Sequence, residues 1–142
     1  MSTDSRSDYR LAHALARLGL GVNIALHGLV RLPKLDAFAS GLREQFAQSI
    51  LPGPLVYLSG CGIVIGEAVI GVLLVLGLFL RPALVAGTLL MILLITGSCL
   101  IENWGAAGIQ MTYLGFYAVL LATVRHDAWS LDSRRRGSSP AA

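Results

Sequence analysis

Long apolar runs, separated by polar stretches, dominate the pattern along this 142-residue chain. Four runs stand out, at residues 12–32, 55–80, 83–101 and 108–124. Each approaches or exceeds the roughly 17–25 residues with which a helix crosses the hydrocarbon core of a bilayer. The strands of a membrane barrel would alternate apolar and polar residues, and these runs do not. The pattern therefore predicts four transmembrane α-helices.

The connections between the runs predict how these helices pack. Pro82 separates the second run from the third, and residues 105–108 separate the third from the fourth. Because such short connections leave consecutive helices antiparallel, we predict an all-α, integral membrane four-helix antiparallel bundle over residues 12–124. A cytoplasmic N-terminal tail, residues 1–11, precedes it. A polar C-terminal tail, residues 125–142, follows it, and we expect disorder at the end of that tail.

The long first connection has a regular pattern of its own. Its apolar side chains recur every three to four residues, at Leu35, Phe38, Leu42, Phe46 and Ile50. This spacing predicts an amphipathic interfacial helix that lies flat on the membrane surface or folds back as a lid over the mouth of the bundle. A plain linker is the alternative.

Composition and charge agree with a membrane protein and suggest its orientation. Hydrophobic residues make up 55% of the chain and charged residues only 13%, against about 25% charged residues in soluble proteins. The net charge is +3, but the basic residues form no aromatic-interleaved patch, so we expect no nucleic-acid partner. Most basic residues near the run ends lie on the side of the termini, so the positive-inside rule predicts cytoplasmic termini.

Polar side chains share one side of the first predicted helix: His13, Arg17, Asn23, His27 and Arg31. Because an ionisable group facing lipid is costly, we expect this stripe to face the bundle interior or the water interface. Snorkelling to the boundaries is an alternative explanation for the two arginines. For Asn23 and His27, the alternative is a structural hydrogen bond between helices.

Glu67 lies near the middle of the second run, where a bare charge costs at least about 2.5–3.5 kcal/mol. It must therefore be paired, protonated or in contact with a polar cavity. The basic partners available are His27, Arg31 and Arg17. A protonated Glu67 is a candidate proton donor or acceptor, so we take Glu67 and His27 as candidate catalytic residues. A purely structural buried ion pair is the alternative.

Small residues in the second run predict close helix packing, and they are Ser59, Gly60, Gly62, Gly66 and Gly71. Gly62 and Gly66 form a GxxxG motif, which lets two membrane helices approach each other closely. We expect these glycines to serve packing and not chemistry.

A second polar group is predicted around the connection between the third and fourth runs. Its members are Thr96, Cys99, Glu102 and Asn103 in one segment, and Gln110, Tyr113 and Tyr117 in the next. With Asn23 and Arg31, we take Glu102, Asn103, Tyr113 and Tyr117 as candidate ligand-binding residues around an outward-facing cavity. Trp104 and Tyr113 could instead belong to the aromatic belt of the membrane interface.

The two cysteines, Cys61 and Cys99, lie in neighbouring predicted helices at depths that differ by roughly 6 Å. A redox pair is geometrically possible, whereas most buried cysteines behave as small hydrophobic residues. Neither cysteine belongs to a CxxC motif or to a Cys/His cluster with zinc spacing, so we predict no metal site.

Three stretches together resemble a known family. They are RLGLGVNIALHGLVRL in the first run, GEAVIGVLLVLGLFLRPA in the second run and its turn, and HDAWSLD after the fourth. In this order they resemble the DoxX family of small four-helix membrane proteins. By this resemblance, Gly28 and Arg31 match the pair that ends the family's first helix, and Glu67 matches its intramembrane acid. Residues 130–132 match its C-terminal tail signature.

The resemblance implies a redox-associated protein of the bacterial inner membrane. Relatives are associated with thiosulfate:quinone oxidoreductase, with thiol-stress complexes and with the maturation of periplasmic redox enzymes. We therefore expect a membrane subunit of a redox system that binds a quinone or a small anion, with a redox protein partner or a second copy of the chain. An oxidoreductase subunit acting on sulfur compounds and quinone, or an assembly scaffold, are the alternatives. The chain carries no haem-ligand pair and no flavin fingerprint.

Overall fold

The computed structural model describes residues 3–137, and every regular element in that range is a helix. The α-helices are α1 (Thr3–Arg31), α2 (Leu35–Gln45), α3 (Gly53–Leu76), α4 (Leu80–Leu100), α5 (Trp104–Ala122) and α6 (Leu131–Gly137). Short 3₁₀ turns, Leu32–Lys34 and Val124–His126, follow α1 and α5. The disorder predicted at the end of the C-terminal tail concerns residues 138–142, which lie outside the described residues.

Four helical segments are long and apolar enough to cross a membrane: the one that includes α1, and α3, α4 and α5. Large apolar side chains also cover the outside of this bundle, and Leu58, Leu89 and Ile109 are each more than three-fifths exposed. A continuous apolar exterior is stable only in contact with lipid or another apolar surface. The predicted all-α membrane bundle is therefore confirmed.

The bundle has two ends, which we name by what lies there. At the α2 end, α1 finishes, α3 begins, and the turn from α4 to α5 is found. At the tail end, α1 begins, α3 turns into α4, and the segment after α5 returns to the bundle. The long axis of α1 separates the two ends, so groups at opposite ends do not share one site.

Glycines bring α1 and α3 into direct backbone contact. A Cβ added at Gly71 would lie 2.1 Å from the backbone nitrogen of Ala25, and one added at Gly28 would lie 2.2 Å from that of Ala68. The predicted motif is not at this crossing, because a Cβ at Gly62 would meet nothing within 4 Å and one at Gly66 only a leucine methyl at 3.9 Å. Sequence spacing finds small residues, but only the rotation of the helix decides which of them face a neighbour.

The turn from α3 to α4 comes earlier in the chain than the sequence predicted, at residues 77–79 and not at residues 81–82. Helix α3 ends at Leu76 because Gly77 adopts the left-handed conformation with φ of 64°, and Phe79 follows with φ of 48°. Helix α4 then begins at Leu80, so Pro82 lies inside its first turn, where a missing N–H costs no helical hydrogen bond. Proline therefore marks the start of α4 and not the break between the two helices.

The amphipathic helix α2 folds back onto the bundle. Ala39 is fully buried, and a Cβ at Gly60 of α3 would lie 3.1 Å from the Ala39 Cα atom. Phe46, directly after α2, is buried and approaches Gly97 of α4. The helix ends five residues before the predicted pattern does, and Ile50 is 87% exposed. Of the two predicted placements, the structure has the fold-back over the mouth of the bundle.

The segment after α5 fastens the turn between α3 and α4. Oδ2 of Asp132 accepts a hydrogen bond from the backbone N–H of Leu80 over 2.8 Å, and the Asp132 N–H donates to the Gly77 carbonyl over 3.0 Å. Ser130 is buried against Gly77, where a Cβ would lie 2.3 Å from the Ser130 Cβ. Residues 130–132, the tail signature, thus have a structural explanation. Asp132 caps the N-terminus of α4, whose own N-cap residue, Phe79, makes no side-chain capping hydrogen bond.

Asp132→Ala is expected to lower the free energy of unfolding by about 1 kcal/mol, the usual cost of removing a helix N-cap. Asp132→Asn keeps an oxygen that can accept from Leu80 and should retain most of the stability. Thermal unfolding of the purified protein in detergent compares the two variants. Equal loss in both would show that the charge of Asp132, and not its capping hydrogen bond, stabilises the turn.

Candidate functional site

A cavity of about 580 Å³ lies at the α2 end of the bundle, between α1, α2, α3, α4 and α5. Most of its wall is apolar, with Ile24, Ile63 and Met91 on the bundle side and Phe38 and Leu42 of α2 across from them. Its volume is within the roughly 300–1,000 Å³ of typical small-molecule sites. Because such sites combine apolar walls with a few placed polar groups, this cavity is the candidate functional site.

The charged pair of the cavity joins α1 to α3. Nη1 of Arg31 donates to Oε2 of Glu67 over 2.8 Å, and both residues line the cavity. The Glu67 side chain is 5% exposed, whereas that of Arg31 is 34% exposed. The guanidinium carbon of Arg31 also lies 4.8 Å from the centre of the Phe38 ring, a cation–π contact with α2. Arg31 therefore connects the buried acid to the helix that covers the cavity.

His27 also lines the cavity, and its hydrogen bond to the backbone determines which ring nitrogen carries the hydrogen. Nδ1 lies 2.9 Å from the backbone oxygen of Asn23, which only accepts, so we assign the hydrogen of the neutral ring to Nδ1. Nε2 is then the nitrogen that can accept a proton or a hydrogen bond. Tyr113 of α5 packs edge-on against the imidazole at 6.4 Å between ring centres and also lines the cavity.

A second polar region of the wall belongs to α4 and α5. Oγ of Ser98 donates to Oε1 of Gln110 over 3.0 Å, which ties the two helices together. Asn103 lines the cavity too, but its Oδ1 accepts from the backbone N–H of Ala106 and caps α5. This cap starts α5 at Trp104, so the predicted connection at residues 105–108 is part of the helix.

Not every predicted ligand-binding residue lines the cavity. Glu102 lies exposed in the turn before α5 with φ of 57°, and Asn23 is absent from the cavity wall. Tyr117 is fully buried in the core against Gly87, and its hydroxyl makes no hydrogen bond to any described residue. Of the predicted residues, the structure brings together His27, Arg31, Glu67, Asn103 and Tyr113.

Cys61 and Cys99 are both free thiols, partly buried, and neither lines the cavity. No disulfide therefore joins α3 and α4 in this structure. Within residues 3–137, no three His, Cys, Asp or Glu side chains lie close enough together to hold a metal ion. The polar groups that line the cavity include the Arg31–Glu67 ion pair, His27 and Tyr113.

The polar stripe of α1 divides between the two ends of the bundle. Arg17 is 2% exposed and donates from Nη1 to the Leu74 and Val75 carbonyls at the end of α3, so it does not snorkel. Nδ1 of His13 lies 3.0 Å from Oγ1 of Thr123, the residue directly after α5. Arg17 and Arg31 are roughly 21 Å apart along the helix. Arg17 is therefore not a partner for Glu67.

Two residues that contribute to the site, Ser98 and Phe38, could not be predicted as such from the sequence. Ser98 faces the cavity although the neighbouring Cys99 does not, and no polar spacing in α4 distinguishes the two. The aromatic contact of Phe38 with Arg31 depends on the fold-back of α2, which the amphipathic spacing allowed but did not require. Both contributions depend on how whole helices are rotated and placed, which local sequence spacing does not determine.

Comparison with known proteins agrees with this architecture. The family model described as DoxX matches residues 12–101, more than half of the chain. That range includes α2, α3 and α4 and most of α1, and with them Arg31 and Glu67. No curated protein and no solved structure shows significant similarity to the chain. Because this match covers more than half of the sequence, the chain belongs to the DoxX family.

Proposed function

We propose that this protein is a membrane subunit of a bacterial redox system and that its cavity binds a quinone. Membership of the DoxX family suggests a redox-associated membrane protein. The main support for this proposal is that a cavity with mostly apolar walls contains one strong hydrogen-bond donor, Arg31, whose charge is balanced by Glu67. A quinone has the matching chemistry, a neutral ring with two carbonyl acceptors and an apolar tail.

Charge balance favours a neutral ligand over the small anion that the sequence also allowed. Glu67 already supplies a negative charge 2.8 Å from the Arg31 guanidinium. An incoming anion would have to compete with this carboxylate, and like charges at such short distances repel each other. A carbonyl oxygen needs only a free N–H, and the guanidinium has five, of which Glu67 occupies a part.

The polar groups suggest where the two ends of the ligand lie. The quinone ring would sit between Arg31 and Tyr113, whose hydroxyl is a second donor, and Nε2 of His27 would face the same space. The isoprenoid tail would follow the apolar wall formed by Phe38, Leu42 and neighbouring residues. Helix α2 would then separate the ring from the water beyond it.

His27 and Glu67 are the groups through which protons would move. Reduction of a quinone to a quinol takes two electrons, which a partner protein would supply, and two protons. Histidine exchanges protons near neutral pH, and a carboxylate can pass a proton on once it has received one. The chain's own contribution would be to hold the ring and to deliver protons.

Orientation follows from the distribution of basic residues. We propose that the protein lies in the bacterial inner membrane with both termini in the cytoplasm, because the tail end carries most of the arginines near helix ends. The α2 end and the cavity would then face the outer side of the membrane. A periplasmic redox partner would have access to the cavity on that side.

Two tyrosines of α5 provide a matched test of quinone binding. Tyr113→Phe is expected to weaken binding of decylubiquinone about three- to tenfold, because one hydrogen bond is lost. Tyr117→Phe should leave the affinity unchanged and keep or raise stability, because the Tyr117 hydroxyl is buried with no hydrogen-bond partner among the described residues. Fluorescence titration in detergent measures the dissociation constants. Absence of any quinone binding by the unsubstituted protein, or equal effects of the two changes, would reject the proposal.

A further inference from the structure

A second, smaller cavity of about 200 Å³ lies at the tail end of the bundle, remote from the candidate quinone site. Its wall is formed by Arg6 and Arg10 of α1 together with Arg125 and His126, which follow α5. Arg6 and Arg10 are four residues apart and therefore share one face of the helix. Three arginines thus line one cavity from two parts of the chain that are distant in sequence.

The arginines of this cavity have no carboxylate partner among the side chains that the structure describes, those of residues 5–135. The salt bridge found in that range joins Arg31 to Glu67 at the other end of the bundle. Asp8 lies between Arg6 and Arg10 in sequence but does not line the cavity, and the Asp127 carboxylate accepts a hydrogen bond from Ser130. Like charges brought together repel unless an anion lies between them. The cavity consequently has the electrostatics of an anion site.

Neighbouring aromatic residues indicate the depth of this cavity in the membrane. Tyr9 stacks on the His126 ring at 5.4 Å between ring centres and is about half exposed. Trp129 and Phe79 are more than half exposed at the same end of the bundle. Exposed aromatic rings of this kind are typical of the level of the lipid headgroups. The anion most available at that level is the phosphate of a lipid.

We propose that the cavity of Arg6, Arg10, Arg125 and His126 binds the phosphate of an anionic glycerophospholipid. Guanidinium groups match phosphate oxygens with paired N–H donors, and a positively charged pocket beside a membrane helix suits an anionic headgroup. The positive-inside rule explains why arginines are numerous at this end, but it does not require them to converge on one cavity. Bound lipid would join the start of α1 to the segment after α5.

The test compares two triple variants that remove the same charge. One is Arg6→Gln, Arg10→Gln and Arg125→Gln; the control is Lys34→Gln, Arg43→Gln and Arg81→Gln, all exposed residues that do not line the cavity. Binding of phosphatidylglycerol and of phosphatidylcholine to the full chain in detergent is measured by native mass spectrometry. We expect phosphatidylglycerol to bind in preference to phosphatidylcholine. The first variant should lose on the order of a hundredfold in affinity and the control less than threefold.

A control with inorganic phosphate distinguishes a site for a lipid phosphate from a site for a free phosphate ion. Free phosphate at millimolar concentration should neither displace phosphatidylglycerol nor raise the melting temperature. Stabilisation by inorganic phosphate without binding of phosphatidylglycerol would show a site for a soluble anion and would overturn the lipid assignment. Equal loss of phosphatidylglycerol in both triple variants would overturn it as well, because net charge would then explain the binding.

Discussion

Gly71→Ala is expected to disrupt the bundle more than any other single added methyl group in α3. The new Cβ would lie 2.1 Å from the nitrogen and 2.4 Å from the Cα of Ala25, so the backbones of α1 and α3 would have to separate. Overpacking usually costs about 1–3 kcal/mol, and a clash between two backbones belongs at or above the top of that range. Thermal unfolding in detergent should show this loss of stability.

Gly62→Ala is the matched control, because the same methyl group on the same helix would meet nothing within 4 Å. It should leave stability unchanged or raise it by up to about 1 kcal/mol through the better helix propensity of alanine. Quinone binding should fall with Gly71→Ala and persist with Gly62→Ala, since Arg31 and Glu67 lie across the same contact between α1 and α3. If the two variants were equally stable, the proposed helix crossing would be wrong.

Arg31→Met is expected to produce the largest loss of quinone binding. A hydrogen bond from a charged donor is worth about 1.5–3 kcal/mol, which corresponds to a loss of roughly tenfold or more in affinity. The change also leaves Glu67 without its counter-charge. Breaking a buried pair costs about 3–5 kcal/mol, and we expect less here because the Arg31 side chain is 34% exposed. Quinone titration and thermal unfolding measure the two effects separately.

A double variant separates binding from stability. Arg31→Met combined with Glu67→Leu removes both charges, so it should regain most of the stability but none of the quinone affinity. Arg43→Met removes a positive charge from α2 outside the cavity and should leave both quantities unchanged. Recovery of quinone binding in the double variant would show that the apolar walls alone hold the ligand and that Arg31 has no part in binding.

The architecture could be predicted from the sequence because a lipid environment restricts which structures a chain can form. Runs of apolar residues have to be helices, and a lone acid within such a run needs a partner. Arg31, one of three basic partners considered for Glu67, is the one that forms the pair. These predictions depend on length, periodicity and charge, which are properties of the chain before it folds.

The rotation of the helices about their axes and the long-range capping contact could not be predicted from the sequence. The side of α3 that meets α1 is set by Gly71, and the visible motif at Gly62 turns away from that contact. Asp132 caps α4 from 52 residues further along the chain, a contact that local spacing cannot reveal. The stripe on α1 predicted one polar surface, but helix length places Arg17 and Arg31 at opposite ends of the bundle. Each of these depends on how complete helices are placed against one another.

Quinone binding in the cavity can be tested directly by photolabelling the purified protein with an azido-substituted quinone and mapping the labelled peptides by mass spectrometry. If the cavity binds quinone, the label will be found on residues that line the cavity, in particular between 24 and 46 and between 91 and 113. It will be lost with excess unlabelled quinone and in Arg31→Met. Label confined to lipid-facing positions such as Leu58 and Leu89, and insensitive to competition, would contradict quinone binding in the cavity.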